Sequence, residues 1–254
     1  VTPAQPSLRL ALSNRPGCIE IIRAALDGLA DVLAVDALAR NDLATAVEEA
    51  CKNVVLHAYE GVEGPLELEL LTAPDSVTAV VRDRGIGIRP HLGERTQPHT
   101  GIGMPIVHLL SRRVTYTNLP GGGTEVRMEL DVPGVAALPA LPVLPDAQTA
   151  APVTYTAVAL AVIPDLAAAV TPRLIDALTT REQTDPQLLA GLQSRLAQIV
   201  AGSAGDAELR LLFLPTPGGL SLEVGPVGLN LAASMASVRP RPEPGAVVRL
   251  ELSD

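Results

Sequence analysis

Four short runs hold the residue types best suited to chemistry. The first is EEACKNVVLHAY, residues 48–59. Glu49 and Asn53 are four apart, so on a helix they share one face, while Ala46, Val47, Ala50 and Val54 form the buried stripe opposite. A carboxylate beside a carboxamide offers a general base and a neutral oxygen for a hard cation, with phosphates supplying the other ligands. The second run is VVRDRGIGI, residues 80–88, in which a strand ends in Asp83 and breaks at Gly85 and Gly87. A carboxylate there suits an exocyclic amine, and the glycines let the backbone approach a flat ring. The third is TGIGMPIV, residues 100–107, with Gly101, Ile102, Gly103 and Met104 opening a helix whose free N–H groups suit an anion. The fourth is GGGTEV, residues 121–126, where Thr124 opens a strand and could bond a base or a bridging water. Taken singly, these runs also fit a solvated helix face, an ordinary turn, a helix N-cap at Thr100 and a β-branched strand residue.

The elements that must position these runs read as follows. A strand LRLALS is followed by helices over Cys18–Ala34 and about Asn41–Tyr59. PLELELLTA and SVTAVVRD form a hairpin around Pro74-Asp75. After the glycine turn and a polar loop, a helix starts at Gly101 to Gly103, and the strands RVTYTNL and TEVRMELDV close the block. A Pro/Ala-rich linker is expected over 133–153. It divides the chain into an N-terminal domain, 1–132, and a C-terminal domain, 154–254.

Composition narrows the function. The chain of 254 residues carries a formal net charge of -9, which argues against a nucleic-acid surface. With one Phe, three Tyr and no Trp, the core must be aliphatic and base stacking on aromatics is not expected. Cys18 and Cys51 have no metal-binding spacing and are too few for a disulfide scaffold. No apolar run approaches a membrane span, and the opening VTPAQPS does not read as a signal peptide. The expected setting is reduced and cytoplasmic, with neither a membrane nor a nucleic acid as partner. A G-x-x-x-x-G-K-[ST] phosphate loop is absent.

Order and spacing together are more specific than any single run. They resemble the GHKL (histidine-kinase-like) ATPase superfamily, with EEACKNVVLHAY as its N-box, DRGIG and GIGM as its glycine boxes, and the terminal GT. The strong resemblance covers about Leu8 to Val132. Within the superfamily, the short lid and the E-A-x-x-N-x-x-x-H-A-Y form of the N-box look most like the anti-sigma-factor serine/threonine kinases. The resemblance implies a two-layer α/β sandwich that binds ATP and Mg2+. Asn53 would hold Mg2+ and Glu49 would be the catalytic base. Asp83 would read adenine, Gly85 and Gly87 would shape the base pocket, Gly101 and Gly103 would cradle phosphates, and Thr124 would support the base. The implied partners are a small anti-anti-sigma (STAS-type) domain as substrate and a sigma factor as second client. A non-catalytic, nucleotide-gated regulator and the ATPase domain of a sensor histidine kinase system are the competing readings. His57, inside the N-box, reads as a pocket-edge or packing residue.

The C-terminal block repeats the element order: YTAVALAV, a helix from Asp165, a helix over Asp185–Val200, AELRLLFL, GLSLEVG, a short helix near Leu231, and AVVRLEL. A constant shift of 141 places Leu68 on Leu209 and Leu70 on Leu211. It also replaces Glu49 with Ala190, Asn53 with Ser194, Asp83 with Val224 and Gly85 with Pro226. At the ends, GTEVRMEL matches GAVVRLEL, with Ala246 for Thr124. The expectation is a tandem duplication whose second copy has lost the nucleotide site. Kinases of this type act as homodimers, so that copy would stand in for a partner subunit as an intramolecular pseudo-dimer; an intramolecular cap or a platform for a partner protein is the alternative.

Overall fold

The computed structural model describes residues 5–87, 103–142, 158–179, 186–203, 208–216, 219–227, 238–240 and 246–252. Its first half runs β1 (Leu8–Ser13), α1 (Cys18–Val32), α2 (Ala37–Asn53), a π-helical turn (Val54–Ala58), β2 (Pro65–Ala73), β3 (Ser76–Asp83), α3 (Gly103–Leu110), β4 (Arg113–Asn118) and β5 (Thr124–Asp131). The second half runs β6 (Val158–Val162), α4 (Pro164–Thr179), α5 (Pro186–Gly202), β7 (Leu209–Thr216), β8 (Gly219–Val227), β9 (Val238–Pro240) and β10 (Ala246–Leu252). The helix expected near Leu231 lies outside the described residues.

Three boundaries of the first two helices differ from the sequence reading. α1 ends at Val32, and Ala34 takes a positive φ of 51°. α2 begins four residues before Asn41, because Asp36 caps it by accepting from the Leu38 and Ala39 N–H groups. Its far end does not continue as α-helix to Tyr59; after Asn53 it widens into the π turn.

One core joins the helices to the sheet. Leu8, Leu10 and Leu12 of β1 and Leu66, Leu68 and Leu70 of β2 are buried with Ile22, Leu26 and Leu29 of α1 and Leu43 and Val47 of α2. The alternate positions carry a chain of ion pairs across four strands: Arg9 Nε to Glu69 Oε1 at 2.8 Å, Arg82 Nη1 to Glu69 Oε2 at 2.8 Å, and Arg82 Nε to Glu125 Oε2 at 2.6 Å. Period-2 alternation thus sets these four charged residues on the sheet face opposite the apolar core. The described start of the expected linker packs back on this unit: Val135 and Leu141 are buried, and Leu141 N–H donates to Pro6 O at 2.7 Å.

The ten described strands form one sheet in the order β4-β5-β3-β2-β1-β6-β7-β8-β10-β9. Read by position within each half, this order is symmetric about the β1–β6 junction. There the strands are antiparallel, and Leu10, the third residue of β1, faces Leu160, the third residue of β6. Above the junction α1 lies against α4. A Cβ at Gly28 would sit 2.9 Å from the Val170 Cα, so only glycine permits this approach. Asp31 ties three helices: it accepts from Arg40 Nη2 at 2.5 Å and from Arg173 Nη2, and these partners hold its carboxyl below the usual range.

The ladder also corrects the internal alignment. Leu68 pairs with Leu10 and Val81, while Leu211 pairs with Leu160 and Val224. Val81 in turn faces Val126, as Val224 faces Val248. Leu211 therefore stands in the position of Leu68, and Val224 in that of Val81. The shift of 141 slips this hairpin by two residues. Gly225 faces Arg210 as Arg82 faces Glu67, so the place of Asp83 falls on the next residue, Pro226, and not on Val224.

The two free cysteines are buried in α1 and α2. Burial pushes the Cys18 thiol up to about 12 and the Cys51 thiol well above its ordinary value. Unfolded thiols ionise near pH 9, so the unfolded chain releases protons that the folded chain keeps. Stability is therefore fully present below about pH 9 and falls as pH rises toward 12, by about 1.4 kcal/mol per pH unit for each thiol. Denaturant midpoints measured at pH 8, 9 and 10 check this. The decline should shrink when both cysteines are replaced by alanine, and an equal decline without them would rule out the thiols as its cause.

Candidate nucleotide site

The last turn of α2, the π turn, the end of β3, the start of α3 and the start of β5 bring most of the predicted residues into two clusters. The first is the corner after β3. Asp83 is 5% exposed, and its Oδ1 accepts from the Gly85 N–H at 2.8 Å. This bond turns the chain and leaves Oδ2 as the acceptor with capacity for a ligand. Gly85 is required by contact: a Cβ there would lie 2.0 Å from Ala58 O. Gly87 is required by conformation, with φ at +73°. Thr124, also buried, precedes Glu125, which faces Arg82, so Thr124 is the cross-strand neighbour of Asp83.

The second cluster is where α2 meets α3. Glu49 and Asn53 share one face of α2, as their spacing predicts. A Cβ on Gly103, the first residue of α3, would stand 2.7 Å from Glu49 Oε2. Asn53 Nδ2 contacts Met104 Sδ at 3.1 Å, which directs Oδ1 of the same amide elsewhere. The candidate base and the candidate metal ligand thus face the opening of the helix expected to cradle phosphates. Gly101 and Ile102 lie outside the described residues.

Four residues at this site carry weight that the sequence reading did not give them. Lys52 Nζ pairs with Glu49 Oε1 at 2.6 Å and puts a cation beside the candidate base. Gly123, with φ at +93°, has no room for a Cβ, which would lie 2.1 Å from Asp83 O. The PGGG run before Thr124 was the signal for it. The Asn118 Oδ1 would stand 3.1 Å from a Cβ on Gly87. Tyr59 is hydrogen-bonded to the corner itself, through a 2.7 Å bond from the Arg84 N–H to its hydroxyl. His57 is exposed on the π turn, not packed.

The residues fit Mg2+ in a particular way. Among the described residues there is no group of three or more His, Cys, Asp or Glu side chains able to hold a metal ion. A single amide oxygen at Asn53 is enough for a cation that keeps waters and takes its remaining ligands from phosphates. Among the described residues no helix is long and apolar enough to cross a membrane.

Among the described residues of the second half, two positions matched by strand register differ from the first half. The position of Asp83 is proline, which has no N–H and a fixed φ. Counting back two residues from Val248, which faces Val224 as Val126 faces Val81, gives Ala246 for Thr124, and an irregularity in the ladder there pairs Ala246 with Val227.

The segment that carries these residues is similar to known proteins. The family profile described as a histidine kinase-like ATPase domain matches residues 12–130. The serine-protein kinase RsbW of Bacillus pumilus is 29% identical over 122 residues, covering 42% of this chain and 75% of that protein. The anti-sigma F factor of Caldanaerobacter subterraneus is 30% identical over 95 residues, covering 34% of this chain and 66% of that protein. Among solved structures, the blue-light activated histidine kinase of Erythrobacter litoralis EL346 gives a TM-score of 0.32 at 21% identity, over 39% of this chain and 32% of that one, too slight a likeness to argue from. The matched segment holds Glu49, Asn53, Asp83 and Thr124 together with the strand and helix order that brings them near one another: residues 12–130 form a histidine kinase-like ATPase domain of the GHKL superfamily.

Proposed function

We propose that the chain is an ATP-binding, Mg2+-dependent serine/threonine protein kinase of the anti-sigma-factor type. The observation that carries this reading is the convergence of Glu49 and Asn53 on the glycine-led start of α3. In this reading Asp83 and Thr124 hold the adenine, and the α3 N-terminus faces the phosphates. Asn53 would hold Mg2+, which would neutralise phosphate charge. Glu49 accepts the proton of a serine or threonine hydroxyl as its oxygen attacks the γ-phosphorus in line, and ADP leaves. The remaining acceleration comes from positioning and charge neutralisation. The substrate is a small STAS-type anti-anti-sigma domain and the second client a sigma factor, so that phosphorylation decides which partner is held and thereby regulates transcription. The names of the similar proteins support this choice.

One observation favours a second reading. Lys52 occupies Glu49 Oε1, as it would in a regulator that binds nucleotide without transferring phosphate. Incubation with γ-labelled ATP, Mg2+ and a STAS-type partner separates the two. Label on a partner serine or threonine supports the kinase; binding with no transfer supports the regulator; free phosphate alone indicates an ATPase.

We also infer that the second half is a degenerate copy that substitutes for a second subunit. The symmetric strand order, the facing Leu10 and Leu160, and the shared positions of Leu68 with Leu211 and Val126 with Val248 support it. β6 covers the edge of β1, which an isolated unit would leave open to another chain. Light scattering should therefore find one chain per particle across a wide concentration range. A symmetric dimer joined through the N-terminal half would overturn the idea.

A further inference from the structure

Three successive amides after Asp83 are each held by a different group. The Arg84 N–H donates to the Tyr59 hydroxyl at 2.7 Å, the Gly85 N–H to Asp83 Oδ1 at 2.8 Å, and the Ile86 N–H to Ala58 O at 2.9 Å. Two of the three acceptors belong to the π turn and the residue that follows it. The Tyr59 hydroxyl also donates to Pro65 O at the start of β2, so one oxygen links β2 to the turn after β3. The site is shaped around the ring. A Cβ at Gly64 would lie 2.1 Å from Tyr59 Cε1, and the Gly64 N–H is itself held by Asn14 Oδ1 at 2.9 Å. Burial pushes the phenol up to about 12, so it stays neutral and keeps both bonds at ordinary pH.

We propose that Tyr59 is a positioning residue for adenine recognition, whose hydroxyl fixes the Arg84–Ile86 turn and so aims the Asp83 carboxylate at the base. The proposal rests on the nucleotide reading above and deepens it. Tyr59 acts through the turn and through Asp83. Without the hydroxyl, the Arg84 N–H loses its acceptor and the turn gains alternatives, while the ring still fills the space beside Gly64.

Tyr59→Phe in the full chain tests this, with affinities for ATP, adenosine and tripolyphosphate measured by calorimetry and amide exchange followed at Arg84. The expected result is a loss of about tenfold for both ATP and adenosine, unchanged tripolyphosphate binding, and faster exchange at Arg84. A merely structural role would lower the melting temperature and leave the adenosine affinity alone. Undiminished adenosine binding, or an equal loss for tripolyphosphate, would overturn the proposal. Tyr59→Leu serves as a second variant, and folded protein with wild-type adenosine affinity would overturn it equally. A wild-type chain that binds neither ATP nor adenosine would instead sink the nucleotide reading itself, and the role of Tyr59 with it.

Discussion

Glu49→Gln should lower phosphate transfer to a partner protein by 10²- to 10⁴-fold while changing ATP affinity by less than about threefold. The substitution keeps the shape of the side chain and removes its ability to take a proton. Its surroundings make the test clean. Glu49 sits on a regular turn of α2, with Oε1 on Lys52 and Oε2 against the Gly103 backbone. A glutamine fits the same space, and Lys52 is 44% exposed, so its freed ammonium turns to water at little cost. Single-turnover transfer with labelled ATP gives the rate, and calorimetry gives the affinity. A fall in both by the same factor would make Glu49 a binding group. An unchanged rate would remove it from catalysis.

Asp83→Asn should weaken ATP binding by about 100-fold, with the fold intact. A charge-assisted hydrogen bond in a buried site is worth roughly 1.5–3 kcal/mol, and a mismatched donor costs more than a missing one. The asparagine oxygen still accepts from the Gly85 N–H, so the turn survives. Its nitrogen then occupies the place of Oδ2 and sets a donor against the exocyclic amine of adenine. An inosine nucleotide, which presents an oxygen at that position, should lose less than ATP does. Equal losses for both nucleotides would mean that Asp83 does not read the amine.

The parts of this molecule legible in the sequence are those where backbone geometry dictates residue type. Asp-x-Gly-x-Gly marked the corner because the turn needs an acceptor at Asp83, no Cβ at Gly85 and a positive φ at Gly87. The four-residue spacing of Glu49 and Asn53 needed only a helix. The hairpin declared itself through Pro74-Asp75 and alternation on both sides. Other features left no such mark. The start of α2 depends on Asp36 as a cap, seven residues before the first leucine that α2 buries, Leu43. The π turn after Asn53 has no compositional signature, and its consequence, the reach of Ala58 and Tyr59 to the corner, is a long-range contact. The slip of the second half by two residues has a simpler cause. Strand alternation has period two, so Leu66, Leu68 and Leu70 match Leu209, Leu211 and Phe213 as well as they match their neighbours. Only the pairing across three strands distinguishes the registers.

The measurement that tests the central claim most directly is the stoichiometry of ATP binding to the full chain in the presence of Mg2+. One nucleotide per chain, lost on Asp83→Asn and retained on substitution of Pro226, is the predicted result. Two nucleotides per chain, none, or one that persists undiminished in Asp83→Asn would contradict it.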